Sequence, residues 1–317
     1  MKILKLAITA LSVLLLVAAA DSQTIGIGTT KGGATAQVTA AISKVVTIKG
    51  QLKMRPQPMG GTQQYIPIVN AGELDFGVSN LPQYWMAKTG TGMAKRKYDN
   101  LILVAKMMTF RTGLLVANKS NIHKVTDFRG KRTPHGFKAA PLFHFLFSAF
   151  LANGGLSYDD VTKVPVVALR QHWNLFKQGK IDGVVAAIGS ASVKDMNASI
   201  KGGVRYISLE DSSEAVKRTL AIYPKSKLRQ VKPDPKLTGV LSPVNVLHFD
   251  YTLWTHKGQK DETVYTVVKA MYESEQVLRA TSPLWRTHAS KTMAKQQGTP
   301  YHPGAIKFYR EVGIWKQ

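Results

Sequence analysis

The sequence predicts an α/β chain folded as two similar lobes joined by two crossover strands, a hinged clamshell. Three observations predict it. Thr24-Ile25-Gly26-Ile27-Gly28 alternates as a strand does, the loop Thr29-Thr30-Lys31-Gly32-Gly33 follows, and Val38, Ile42 and Val45 then recur on one helical stripe. Residues 68–78 (IVNAGELDFGV) are echoed at 175–185 (LFKQGKIDGVV), each an apolar helix end, a glycine stop at Gly72 or Gly179, and a strand entered through Asp75 or Asp182. Between and after the echoes lie apolar stretches suited to carry the chain from one lobe to the other and back, Leu101–Met107 with Gly113–Ala117, and Val244–Thr255. Strand and helix patterns in alternation favour largely parallel sheets.

Taken in order, the chain opens with Lys2 and Lys5, an apolar run from Leu6 to Ala20 broken only by Thr9 and Ser12, and the small-residue end Ala18-Ala19-Ala20. That is the pattern of a cleavable export signal ending after about Ala20, and the run is shorter than the roughly 20 apolar residues a membrane span needs. Asn118-Lys119-Ser120 and Asp127-Phe128-Arg129-Gly130 are turn material, residues 139–152 form a very apolar helix, and Asn153-Gly154-Gly155 ends it. The Pro- and Lys-rich stretch 223–243 reads as surface loop. Asp261-Glu262 stand at the acidic start of a helix with Val264, Val267, Val268 and Met271 on its core face, and a short last helix follows His302-Pro303-Gly304.

Composition narrows the function classes. The 317 residues carry 43 Lys+Arg against 19 Asp+Glu, a formal net charge of +24, with 44% hydrophobic and 20% charged residues. This is a chain able to build a core, not a disordered one. Such a charge raises nucleic acid as a partner. Removal of residues 1–20 takes away two lysines and no acid and leaves +22, on a protein exported away from nucleic acid. The basic clusters Lys95-Arg96-Lys97, Arg129-Gly130-Lys131-Arg132 and Lys225–Lys236 are scattered and lack interleaved aromatics for stacking bases, so no nucleic-acid partner is expected. Cysteine is absent, which excludes disulfides, thiolate metal sites and a Cys nucleophile.

No catalytic constellation stands out. There is no Gly-x-Ser-x-Gly elbow or His-Glu-x-x-His, and the eight histidines are dispersed without metal-ligand spacing. Gly26-Ile27-Gly28 suggests a dinucleotide loop, but Lys31 stands where that fingerprint needs its third glycine. No enzyme activity, cofactor or metal is expected. The sequence carries instead small, polar loops at strand ends: Thr29, Thr30, Lys31 and Gly32; Gly61, Thr62 and Gln63; Ser79 and Asn80; Gly189 and Ser190. Loops of this kind meet a ligand with backbone N–H, hydroxyl and amide groups, and helix N-termini behind them favour an anion. Lys31, Arg111, Lys138 and Arg170 are the cations nearest to these loops or to the crossover.

These residues resemble the solute receptors of TRAP transporters of the TAXI type, over nearly the whole chain after residue 20. The resemblance is carried by Thr24–Gly28 with Gly32-Gly33, by Gly60-Gly61-Thr62 followed by Asn70-Ala71-Gly72-Glu73-Leu74-Asp75, by Asp127–Arg132 and Gly179–Gly183, and most specifically by His302-Pro303-Gly304-Ala305-Ile306-Lys307-Phe308-Tyr309. It implies a two-lobe periplasmic-binding-protein fold of type II-like build and membrane subunits driven by an ion gradient. Three departures bear on the ligand and the second helix. Ala34-Thr35-Ala36 stand where such receptors show aromatics, Thr133-Pro134-His135-Gly136-Phe137-Lys138-Ala139 replaces a small Ser-Gly-Thr-like loop, and Pro67 falls inside the second helix. The first two changes fall on expected ligand loops, so the family's usual solutes are not assumed.

The expectation is a monomeric periplasmic receptor, residues 21–112 plus 246–317 forming lobe one and 113–245 lobe two, hinged near 108–114 and 244–252. It captures a small organic anion, a carboxylate by preference, and delivers it to a TRAP-type membrane transporter. The alternative job on the same fold is a ligand-binding sensor module for a signalling partner. The expected site comprises the loop residues above with Gly136, Phe137 and Lys138, and Lys31 or Lys138 serves as charge partner.

Overall fold

Strand β1 (Thr24–Thr30) forms where apolar and small residues alternate, and helix α1 (Gly33–Lys49) buries Val38, Ile42, Val45 and Val46 against it. Several α1 residues are β-branched and cost up to about 0.7 kcal/mol each in helix propensity. Burying a Val or Ile side chain contributes about 1.5–3 kcal/mol, so packing decides the conformation. The computed structural model describes residues 24–316. The export signal expected over residues 1–20 lies outside the described residues.

Strands β2 (Lys53–Met59) and β3 (Phe76–Asn80) pair in parallel with β1 on either side. Helix α2 (Thr62–Ala71) carries Pro67 as its sixth residue, so the Gln63 carbonyl has no N–H donor four residues on. The helix persists because Tyr65, Ile66 and Val69 are buried on its inner face. Helix α3 (Leu81–Thr89) leads to β4 (Leu101–Ala117), one continuous strand where the sequence suggested two segments. Its antiparallel partner is β10 (Val244–His256), paired from Leu247–Thr112 to His256–Leu101. These two long strands pass through both halves of the molecule.

The second half contains β5 (Arg132–Gly136), α4 (Leu142–Asn153), β6 (Thr162–Val166), α5 (Leu169–Lys177), β7 (Val184–Ala187), α6 (Ala191–Ser199), β8 (Val204–Tyr206) and α7 (Ser213–Ile222). Strands β5 and β6 are a parallel pair, while β7 and β8 extend the sheet from the far end of β4. The stretch 223–243 is not all loop. Strand β9 (Lys227–Val231) pairs antiparallel with β10, exposing most of its basic side chains as suits a sheet edge. Helices α8 (Asp261–Tyr272), α9 (Glu275–Thr281) and α10 (Pro303–Glu311) return to pack on the first half, α8 against α1 and α10. His302 of the most specific string caps α10, its Nδ1 accepting from Gly304 N at 3.2 Å. The architecture is the two-lobe α/β clamshell that the sequence predicted, but its main sheet is mixed and not largely parallel, because the crossover strands β4 and β10 pair antiparallel with each other and with β3, β7, β8 and β9.

The internal echo is a structural repeat. Asp75 Oδ2 accepts Gly26 N–H at 2.7 Å and Asp182 Oδ2 accepts Arg132 N–H at 2.7 Å. In each half a carboxylate entering a later strand holds the backbone of that half's opening strand. Gly72 and Gly179 adopt positive φ, 82° and 67°, as the helix stops require.

Candidate functional site

Helices from both halves start at one space between them. From the first half come α1, α2 and α3, and from the second α4 and α6. Asn80 caps α3, its Oδ1 accepting from Gln83 N at 2.8 Å. Gly32, Gly61, Pro141 and Ser190 stand at the other four cap positions without a side-chain bond. First-turn N–H groups left without intrahelical partners carry partial positive charge, and together they favour an anion or an acceptor-rich group.

The space is a narrow cavity of about 70 Å³. Its first-half wall is Thr30, Ala34, Thr35, Gly60–Gln63, Asn80 and Gln83. The second-half wall is residues 140–143, Leu146, Leu169, Trp173, residues 185–187, Ser190 and Ser192. Phe110 and Thr112 of β4 and Phe249 and Tyr251 of β10 form the floor. The lobes are closed over it. A side-chain carbon at Gly33 would lie 2.9 Å from the Trp173 ring, and one at Gly61 would lie 2.4 Å from the Ala139 carbonyl oxygen.

Polar groups gather on the first-half wall. Gln63 Nε2 is buried without a partner. Asn80 donates through Nδ2 to Gln83 Oε1 at 2.8 Å, while its Oδ1 takes a second bond from the Tyr223 hydroxyl at 2.8 Å. With that oxygen fully engaged, the amide groups left at this end act as donors. Thr35 Oγ1 and Tyr251 Oη lie 2.6 Å apart and tie α1 to the floor. Behind the opposite wall His172 is fully buried, its Nδ1 donating to Leu169 O at 2.6 Å. Burial pushes its pKa down to about 4, so the ring is neutral at physiological pH.

Of the residues expected to bind ligand, the structure brings Thr30, Gly61, Thr62, Gln63, Asn80 and Ser190 into the lining. The others do not line it. Thr29 turns inward to Thr39 Oγ1 at 2.6 Å, and Ser79 Oγ accepts from Trp254 Nε1 at 3.0 Å. Gly32 faces Arg170, and Gly189 backs onto Pro283. Phe137 is buried one layer behind, against Phe143 and His172. Gly136, Lys138 and Lys31 are at the surface, and Lys31 and Lys138 are exposed. Neither Lys31 nor Lys138 is in the lining, which contains no Lys or Arg. A long cation gains more by keeping its head in water than by entering a cavity with no acid to pair with.

Sequence reasoning missed the floor and the aromatic wall. Phe110 and Thr112, like Phe249 and Tyr251, are alternate residues of strands already expected to cross between the lobes. Period-two alternation there was the available signal. Phe143 sits on the very apolar helix expected over 139–152, and Trp173 just before the second echo, where nothing in the sequence singles it out.

The model of the NMT1-like family matches residues 25–313. The chain belongs to that family. Among solved structures, this NMT1-like chain is similar to one described as a periplasmic transporter, at 13% identity, TM-score 0.59, covering 94% of this chain and 95% of that one. It is also similar to MatC from Rhodopseudomonas palustris with bound malate, at 15% identity, TM-score 0.56, covering 92% and 97%. A binding-protein component of an ABC phosphonate transporter from Pseudomonas aeruginosa matches at 8% identity, TM-score 0.51, covering 84% and 81%. At these identities the likeness is one of fold. Among the described residues of the NMT1-like chain no group of three or more His, Cys, Asp or Glu side chains is placed to hold a metal, and no helix is long and apolar enough to cross a membrane.

Proposed function

We propose that the protein is a periplasmic solute receptor that closes its lobes over a small organic anion and hands it to a TRAP-type membrane transporter, as a receptor of the TAXI type. The observation that carries this reading is the cavity itself: helix N-termini without side-chain caps converge on it from both lobes, beside the donor groups of Gln63 and Gln83. A carboxylate held by such groups needs no cation in contact, since several charge-assisted N–H bonds to one oxyanion replace its water. Ligand contacts made by both lobes at once favour the closed state over the open one. The solved relatives of this fold with malate or phosphonate in their descriptions support an anionic solute.

The lobes divide at residues 112/113 and 245/246, and the chain works as a monomer in this reading. Exposed cations at the rim, Lys31, Arg170 and Lys138, draw anions toward the mouth without touching the bound ligand. The test is gentle mass spectrometry of the purified protein for a co-purified small molecule, followed by calorimetry against a panel of organic acids. Saturable binding of a carboxylate supports the proposal. A protein that co-purifies with a neutral ligand and binds no acid overturns it.

A further inference from the structure

The cavity is small and its walls are braced. It encloses about 70 Å³. At about 10–15 Å³ for each water-sized sphere, that is room for roughly five to seven non-hydrogen atoms. The rings that bound it are fixed by contacts of their own. Phe110 packs on Tyr251 at 4.1 Å between centroids, and the Tyr251 hydroxyl lies 2.6 Å from Thr35 Oγ1. Phe143 rests against Phe137 and His172, at 5.8 and 5.6 Å between centroids. Trp173 donates its Nε1 to Val185 O at 3.2 Å. A wider cavity requires that one of these contacts be given up. Parting the lobes has its own cost, since the Tyr223–Asn80 hydrogen bond, 2.8 Å long, crosses between them.

Polarity does not distinguish one end of the cavity from the other. The first lobe offers the uncapped starts of α1 and α2 with the Gln63 amide, and the second offers those of α4 and α6 with the Ser190 and Ser192 hydroxyls. No ionised side chain enters between them. Arg111 stands between Phe110 and Thr112 on β4, and Asp250 between Phe249 and Tyr251 on β10; the outer residues of each triplet line the cavity and the middle one does not. Asp250 accepts instead from Lys295 Nζ at 2.6 Å and Gln297 Nε2 at 2.9 Å. With donors on both walls and no fixed charge, volume is what remains to select the solute.

From this volume and bracing, and resting on the reading of the cavity as an organic-anion site, we infer that the receptor selects by size and takes a two- or three-carbon acid of the class of acetate, propionate or lactate. One carboxylate takes N–H and O–H donors from both lobes, and the short carbon body fills the space that Phe110, Phe143 and Trp173 leave. A four-carbon diacid or an arylacetate exceeds that space. It either displaces a braced ring or holds the lobes apart and loses the bond between Tyr223 and Asn80.

The experiment is calorimetry on the purified protein with acetate, propionate, lactate, succinate and phenylacetate, repeated on Phe143→Ala. At least one of the three small acids is expected to bind about tenfold or more tighter than succinate and phenylacetate, the penalty of overpacking a braced site. Phe143→Ala opens the second-lobe wall and is expected to shift the ratio of phenylacetate to small-acid affinity by about tenfold toward phenylacetate. Tighter binding of succinate or phenylacetate by the wild-type protein overturns the inference while leaving the organic-anion function intact. An equal change for all five acids on Phe143→Ala also overturns it, since the ring then supports the fold and does not set the size limit. Binding of none of the five removes the functional reading itself. Circular dichroism reports whether Phe143→Ala folds, and where it does not, the wild-type series decides alone.

Discussion

The Tyr223 hydroxyl lies 2.8 Å from Asn80 Oδ1, joining the end of α7 in the second half to the cap of α3 in the first. Both residues are buried, and Asn80 lines the cavity. Because the same oxygen also accepts from Gln83 N, it has no capacity left for a solute. The bond thus fixes the amide so that it presents nitrogen, and it belongs to the closed arrangement of the lobes. Tyr223→Phe removes it at little steric cost. A net loss of about 1 kcal/mol corresponds to roughly fivefold weaker solute binding. Calorimetry on the variant checks this, and unchanged affinity would show that the bond persists in the open form.

Closure can be opposed from the opposite side of the mouth. Gly61 has extended backbone, φ −171° and ψ 166°, so alanine is locally allowed there. The obstacle is the Ala139 carbonyl oxygen across the cleft, 2.4 Å from the new carbon. Gly61→Ala is expected to keep the ligand-free melting temperature and to weaken binding about tenfold, because ligand must now close lobes that clash. Small-angle scattering at saturating solute should show a larger radius of gyration than wild type. Full closure with native affinity would place the mouth elsewhere.

The rim cations are expected to matter for approach and not for holding. Lys31→Ala and Lys138→Ala should each leave the dissociation constant within about twofold, since exposed charges at a distance are screened. Association at low salt should slow in the double variant, and its rate should depend less on ionic strength. Stopped-flow fluorescence measures both. A large rise in the dissociation constant would return one of these lysines to the ligand.

Stability should fall on acidification through a defined window. His172 has its pKa depressed to about 4 by burial, and His248 is likewise pushed to about 4 by burial and by Arg111 and Arg229 nearby. An unfolded histidine titrates near 6.5, so between about 6.5 and 4 the unfolded chain binds protons that the folded one refuses. Their contribution is complete above about pH 6.5, is lost as pH drops toward 4, and is constant below that. For His172 the loss approaches roughly 3 kcal/mol. Urea denaturation at a series of pH values reads the slope, and His172→Gln should flatten it. A wild-type profile with no slope in this window would mean that His172 is charged or solvated in the folded protein.

Much of the fold was legible because it is written in short-range pattern. Asp75 and Asp182 stand in equivalent local strings, and each proves to hold the opening strand of its own half. The crossover stretches were legible as long apolar runs, and the loops before α2, α3 and α6 as small polar segments at strand ends. Strand β9 was not, because an edge strand that exposes lysine and arginine has the composition of a loop.

The sequence by itself determined the two-lobe α/β plan, the position of the crossover strands and the loops that carry Thr30, Gly61, Thr62, Gln63, Asn80 and Ser190 to the cavity lining. Those features follow from periodicity and turn chemistry, which act over a few residues. Only the tertiary structure decided that Phe110, Phe143, Trp173 and Tyr251 wall the cavity while Lys31, Lys138 and Arg111 stay out of it. Which way a side chain faces depends on strand register and on what packs opposite, and a charge enters a closed cavity only where a partner offsets its lost water. Both conditions are set by residues distant in sequence, so neither can be read from the loop or strand that carries the residue.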